Sequence, residues 1–191
     1  MEGVFLILIG GVLFSQAWYV LGMYSEGRSM GIFVGGMGLL ALGTIVFAFE
    51  PVLLTGLDNG KTVADGNQVL GQITVMKTVV VVWALYAIGV AASALWDFDE
   101  RAIGFYSAFA AVATLVPFLF FVGELERIYG GMVWLSLSGA TLLLTMVATV
   151  MFFYQGLQFN VLRLLSGWSL LLGGVALGGI GLAIIGFVGL N

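Results

Sequence analysis

The sequence predicts an all-α membrane protein, a bundle of six transmembrane helices forming one domain over residues 1–191. Composition is the first reason: 61% of the 191 residues are hydrophobic and 8% are charged. A soluble domain carries about 25% charged residues, and six basic plus ten acidic side chains cannot cover a chain of this length. The second reason is patterning. Six apolar runs of roughly the 20 residues needed to cross a bilayer alternate with short polar breaks. The third is that no run has a charge in its middle. In hydrocarbon every backbone polar group must be satisfied within the segment, so each run reads as a helix.

The spans follow in order. The first covers residues 4–21. It lacks the positive leader and small-residue cleavage site of a signal peptide, so it is expected to be retained. The second covers residues 30–49 and stops at Glu50-Pro51, where a charge meets a helix breaker. Residues 57–72 read as the one long polar loop, with Asn59-Gly60 and Asp65-Gly66 as turn signals. The third covers residues 78–95 and ends at a charged turn, Asp97 to Arg101. The fourth covers residues 103–122 and contains Pro117. Glu124, Glu126 and Arg127 mark the next break. The fifth covers residues 132–154. A short loop with Gln158, Asn160 and Arg163 leads to the sixth, residues 165–190.

Six spans place both termini on one side. Loops on that side hold Lys61, Lys77 and Arg127, and the opposite loops hold Arg28, Arg101 and Arg163, so the count of basic residues is balanced. Each opposite arginine lies close to a helix end, which leans toward termini outside. Aromatic residues near the proposed ends, among them Trp18, Tyr19, Trp96, Tyr106, Tyr154 and Trp168, fit an interfacial belt.

Much chemistry is excluded. With no cysteine and no histidine, the chain has no disulfide, thiolate or imidazole metal site. No phosphate-binding or dinucleotide fingerprint is present; Gly130-Gly131 reads as a loop or helix start. Nothing suggests a cofactor, and there is no basic patch for nucleic acid. The acidic groups lie in loops or at helix ends, where they read as solvated charges or as a vestibule that collects cations. A membrane enzyme would need a paired acid and base that the spans do not offer. Ion-coupled transport would need a charge at membrane depth, and Glu50 and Lys77, the deepest candidates, sit near span ends.

The polar groups within spans are neutral. Ser138, Thr141, Thr145 and Thr149 follow one another at steps of 3, 4 and 4, which puts them on one face of the fifth helix. That face turns toward protein or toward a pore. Gln16 either lines a pore mouth or bonds to a neighbouring backbone. Uncharged donors and acceptors in an apolar passage suit a small neutral polar solute, and membrane lipid is the surrounding partner. The alternative for each hydroxyl is interhelical bonding. Glycine, at 29 residues, points to close helix packing. Gly31 with Gly35, and Gly174 with Gly178, form GxxxG pairs; Gly36 and Gly173 add to the same surfaces.

Four stretches carry a resemblance. The first helix, Leu6–Gly22, places an amide residue, Gln16, after an apolar run. The second contains Phe33-Val34-Gly35-Gly36. The third and fourth read Leu85-Tyr86-Ala87, an acidic turn, Phe105-Tyr106-Ser107-Ala108-Phe109 and Pro117. The sixth has Gly167-Trp168 followed by Gly174. In this order they resemble the AmiS/UreI family of amide transporters and acid-activated urea channels. The resemblance implies a six-helix protomer with a channel for a neutral amide. It further implies a homo-oligomeric ring, typically a hexamer, in the inner membrane. The pore residues expected on this reading are Gln16, Tyr86, Ser138, Thr141 and Thr145, shaped by Phe33 and Trp168. Tyr86 matches a pore-lining tyrosine of the family. The departures are Gly173 where the family has a pore glutamate, and Trp134 as the lone tryptophan of the fifth span, with Leu135, Ser138 and Leu142 where others would stand. Acid gating through loop histidines cannot operate. Urea, a short-chain amide or ammonia all remain open as solute. The competing expectation is a non-transporting accessory subunit of a larger membrane complex.

Overall fold

The computed structural model describes residues 2–23, 26–48, 63–122 and 132–186, with side chains for 2–23, 26–45, 75–122 and 137–186. The expected turn at Asn59-Gly60, the Glu50-Pro51 stop, the breaks at Glu124, Glu126 and Arg127 and at Gly130-Gly131, and the side chain of Trp134 lie outside the described residues.

Among the described residues, six helices are long and apolar enough to span a membrane. They are α1 (Glu2–Leu21), α2 (Gly27–Ala48), α3 (Val63–Trp96), α4 (Glu100–Phe120), α5 (Met132–Met151) and α6 (Arg163–Ile184). A π-helical turn, Phe152–Gly156, continues α5, and a 3-10 turn, Asn160–Leu162, leads into α6. Two expectations need correction. Asp65-Gly66 is no turn, because both residues lie inside α3. The helix is anchored by its apolar half from Val75 onward, and each residue added to an existing helix gains a hydrogen bond, which offsets the roughly 1 kcal/mol cost of an internal glycine. The sixth helix ends at Ile184 rather than 190, where Gly186 takes up a left-handed conformation (φ 79°) and stops it. Pro117 stays within α4 and is buried.

The helices form a closed ring in chain order. Each packs on its chain neighbours, and α1 closes on α6 through the most extensive contact of all, followed by α2 on α3 and α4 on α5. In lipid there is no hydrophobic drive to bring helices together, so close backbone packing must do it. Glycine provides it at three seams. On α1, Gly3 and Gly10 are seven residues apart, and they face Gly181 and Gly174 on the antiparallel α6. A Cβ on Gly10 would lie 2.7 Å from the Gly174 carbonyl oxygen, and one on Gly3 2.7 Å from that of Gly181. On α2, Gly31, Gly35 and Gly38 meet the alanine ridge Ala84, Ala87, Ala91 and Ala94 of α3. On α4, Gly104 rests against the backbone of Gln155 and Gly156 in the π turn. Gly36 and Gly178, both expected to pack, have nothing within 4 Å of the space a side chain would take. Gly173 packs against Val147 of α5, so a glutamate there would have to displace that side chain.

The outer surface is apolar. Ile32, Leu39, Phe109, Val112, Val116 and Leu172 are among many large exposed hydrophobic residues, as lipid contact requires. The odd-numbered helices are the more deeply buried. Charged residues described within the spans, such as Glu2, Lys77, Glu100 and Arg163, all sit near an end. The three short loops opposite the termini each use one residue with positive φ: Gly22 (75°), Asp97 (54°) and Gln158 (56°). This reverses the chain directly after a helix.

Candidate functional site

A chamber opens at this end of the bundle, lined by residues of α1, α2, α3, α4 and the π turn. Its volume is about 440 Å³, and Gln16, Tyr19, Met30, Val90, Ile103 and Gln155 line its inner part. Glu26, Arg28, Asp97 and Glu100 form its rim. A second space of about 320 Å³ adjoins it, sharing Tyr19, Glu100 and Gln155 and adding Tyr154 and Arg163.

Two amides make the floor. Gln16 lies on α1 a little over one turn below the loop, and is buried. Its Oε1 accepts a hydrogen bond of 2.9 Å from the Tyr86 hydroxyl of α3. The bond crosses the ring, and it answers the question left by the sequence: Gln16 bonds to a side chain and also lines the chamber. Gln155 is placed by the π turn, in which the Leu157 amide reaches back to the Phe152 carbonyl over 3.1 Å. The wider turn, seated on Gly104, brings Gln155 into both spaces. It is 8% exposed, and its Oε1 has no partner among the described residues. A buried carbonyl left unpaired costs about 1–3 kcal/mol, so this oxygen is ready to accept from water or a solute.

Below the floor the interior changes character. Trp83, one turn deeper on α3, packs edge-on to Tyr86 with ring centres 5.2 Å apart. It is fully buried, and its Nε1 donor is unpaired among the described residues. It belongs to a buried apolar core that also contains Ile9, Leu13, Phe121 and Leu144. The hydrogen-bonding floor of the chamber thus borders an apolar interior.

The structure sorts the residues expected to line a pore. Gln16 and Tyr86 are brought together at the floor. Ser138 and Thr141 are buried, but the Thr141 hydroxyl donates to its own helix, at the Leu137 and Ser138 carbonyls. Thr145 bonds to the Thr114 hydroxyl of α4 at 3.0 Å, and Thr149 is on the outside. The stripe drifts because a step of four residues overshoots a full turn by about 40°. It thus starts in the interior, crosses the α4–α5 seam and ends on the surface. Phe33 (67% exposed) and Trp168 (46%) lie on the outer face of the bundle, where they meet lipid or another subunit and not the chamber. Sequence reasoning missed Gln155 and Trp83. An amide at the end of the fifth span and a tryptophan in the middle of the third were the available signals.

No metal-holding group of three acidic, histidine or cysteine side chains exists among the described residues. No family model and no curated protein matches the chain. Among solved structures, the urea channel of Helicobacter pylori in a closed state is similar, with a TM-score of 0.69 and 16% identity. The likeness covers 97% of this chain and 98% of that one. The chain thus has the fold of that urea channel over essentially its whole length.

Proposed function

We propose that the protein is a passive facilitator for a small neutral polar solute, namely urea, a short-chain amide or ammonia, and a divergent member of the AmiS/UreI family. The observation that carries this reading is the chamber floor. Gln16 and Gln155 offer uncharged hydrogen-bonding groups to a solute leaving water, and Tyr86 holds the Gln16 amide from behind. Neutral dipoles can replace the hydration of an amide without holding an ion. The unpaired Trp83 N–H is the next donor along the way. On this reading the solute would then pass among the apolar side chains of the core, which would move aside for it. The fold shared with a urea channel supports the same conclusion. The protomer is proposed to work within a homo-oligomeric ring, such as a hexamer, in the inner membrane with termini outside.

Purified protein in liposomes tests this. Stopped-flow uptake of urea and acetamide should be faster than in protein-free vesicles; equal rates would overturn the reading. Because Phe33 and Trp168 face outward, Phe33→Ala and Trp168→Ala should leave acetamide uptake within about twofold of wild type, as surface changes usually do. A drop as large as that from a floor substitution would return them to the passage.

The alternative, a non-transporting subunit of a larger complex, is favoured by the apolar filling below Trp83. Native purification separates the two: a ring of identical chains supports the facilitator, and a fixed-stoichiometry heteromer supports the accessory role.

A further inference from the structure

We infer that the chamber at the loop end is a binding site for a small organic cation carrying N–H donors, of the guanidinium class. It is the same chamber through which the proposed solute would enter, but the inference concerns binding at the mouth and does not require passage. Two independent features lead there. The first is charge. Glu26, Asp97 and Glu100 stand on the rim against Arg28, with Arg163 contributing from the adjoining space. The balance at the chamber itself is negative, and anions are repelled. The second is the buried oxygen. Gln155 is more than nine-tenths buried, lines the chamber, and holds an Oε1 with no partner among the described residues. That atom can only accept, so its ligand must donate.

The shape excludes the simplest cation. The carboxylates are not gathered closely enough to hold a metal ion, and they surround a space of about 440 Å³. A planar cation with several N–H groups can reach an amide oxygen on one side and rim carboxylates on another. Urea has the same shape without the charge. The rim therefore discriminates between two isosteres by electrostatics alone, while Gln155 serves both.

Isothermal titration of the solubilised full-length protein with guanidinium chloride and with urea, at millimolar concentrations and matched ionic strength, tests this. Guanidinium should bind at least tenfold more tightly than urea. Asp97→Asn with Glu100→Gln should bring the two within about twofold, since two of the three rim carboxylates are gone and Arg28 offsets the third. Asn suits the positive φ of Asp97 as well as Asp does, so this pair should fold; an unchanged circular dichroism spectrum and a single size-exclusion peak check it. Gln155→Leu should weaken both ligands. Equal binding of the two by wild type, no binding of either, or an unchanged ratio in the double variant would overturn the inference. The readout is binding to protein in detergent, so a failure of solute uptake in vesicles would count against the facilitator and leave this result standing.

Discussion

Gly10→Val should abolish recovery of folded protein. The first side-chain atom would already sit 2.7 Å from the Gly174 carbonyl oxygen and 2.9 Å from the Gly178 backbone nitrogen. Both obstacles are backbone, so no rotamer relieves the clash, and α1 would have to move off α6 along the most extensive contact in the bundle. Overpacking a soluble core costs about 1–3 kcal/mol. Here the cost falls on backbone approach, which is the main source of helix association in lipid, so the upper end or beyond is expected. Gly174→Ala should behave similarly, with its Cβ 2.7 Å from the Gly10 carbonyl. Gly178→Ala, which adds a methyl to open space, should be indistinguishable from wild type. The yield of monodisperse protein and its melting in detergent measure all three. Equal tolerance of Gly174→Ala and Gly178→Ala would mean the seam is not built as described.

Gln16→Leu should lower acetamide uptake at least tenfold. Leucine fills nearly the same space but removes the amide from the chamber floor and the acceptor from Tyr86. A hydrogen bond that a dehydrating solute fails to regain is worth about 1–3 kcal/mol, and 1.4 kcal/mol is a factor of ten. The substitution also strands the buried Tyr86 hydroxyl, which destabilises the fold by a similar amount. Transport and folding can be separated, because replacing both partners of a buried bond by apolar groups of the same shape is nearly neutral. Gln16→Leu with Tyr86→Phe should therefore recover thermal stability and stay slow in uptake. A double variant that regains uptake along with stability would show that Gln16 acts only as a strut.

The fold was readable because its cause is local and repeated. Apolar length and the lack of mid-span charge locate all six helices, and α1 and α4 fall within a few residues of expectation. What went astray depended on tertiary context. Asp65-Gly66 has turn composition, yet it continues a helix set by residues ten positions further on. Of the GxxxG residues, Gly31, Gly35 and Gly174 leave little or no room for a side chain, and the Gly178 backbone lies beside Gly10. The pairs were incomplete at α1, where Gly3 and Gly10 are spaced at seven and so escape a four-residue pattern. The site was half legible. A lone amide among apolar residues marked Gln16, and its meeting with Tyr86, seventy positions away, follows from α1 and α3 approaching inside the ring. Gln155 was hidden because its orientation comes from a π turn, which has no sequence period of its own. Thr145 was expected in the pore because spacing reports a shared face but not what the face meets.

Neutral passage without charge movement is the core of this account, and one experiment addresses it directly. Vesicles containing the wild-type protein should equilibrate acetamide at least tenfold faster than protein-free vesicles, with potassium and proton leak, read in the same preparation, at the protein-free level. Acetamide equilibration no faster than in protein-free vesicles, or an ion leak that rises with protein content, would contradict it.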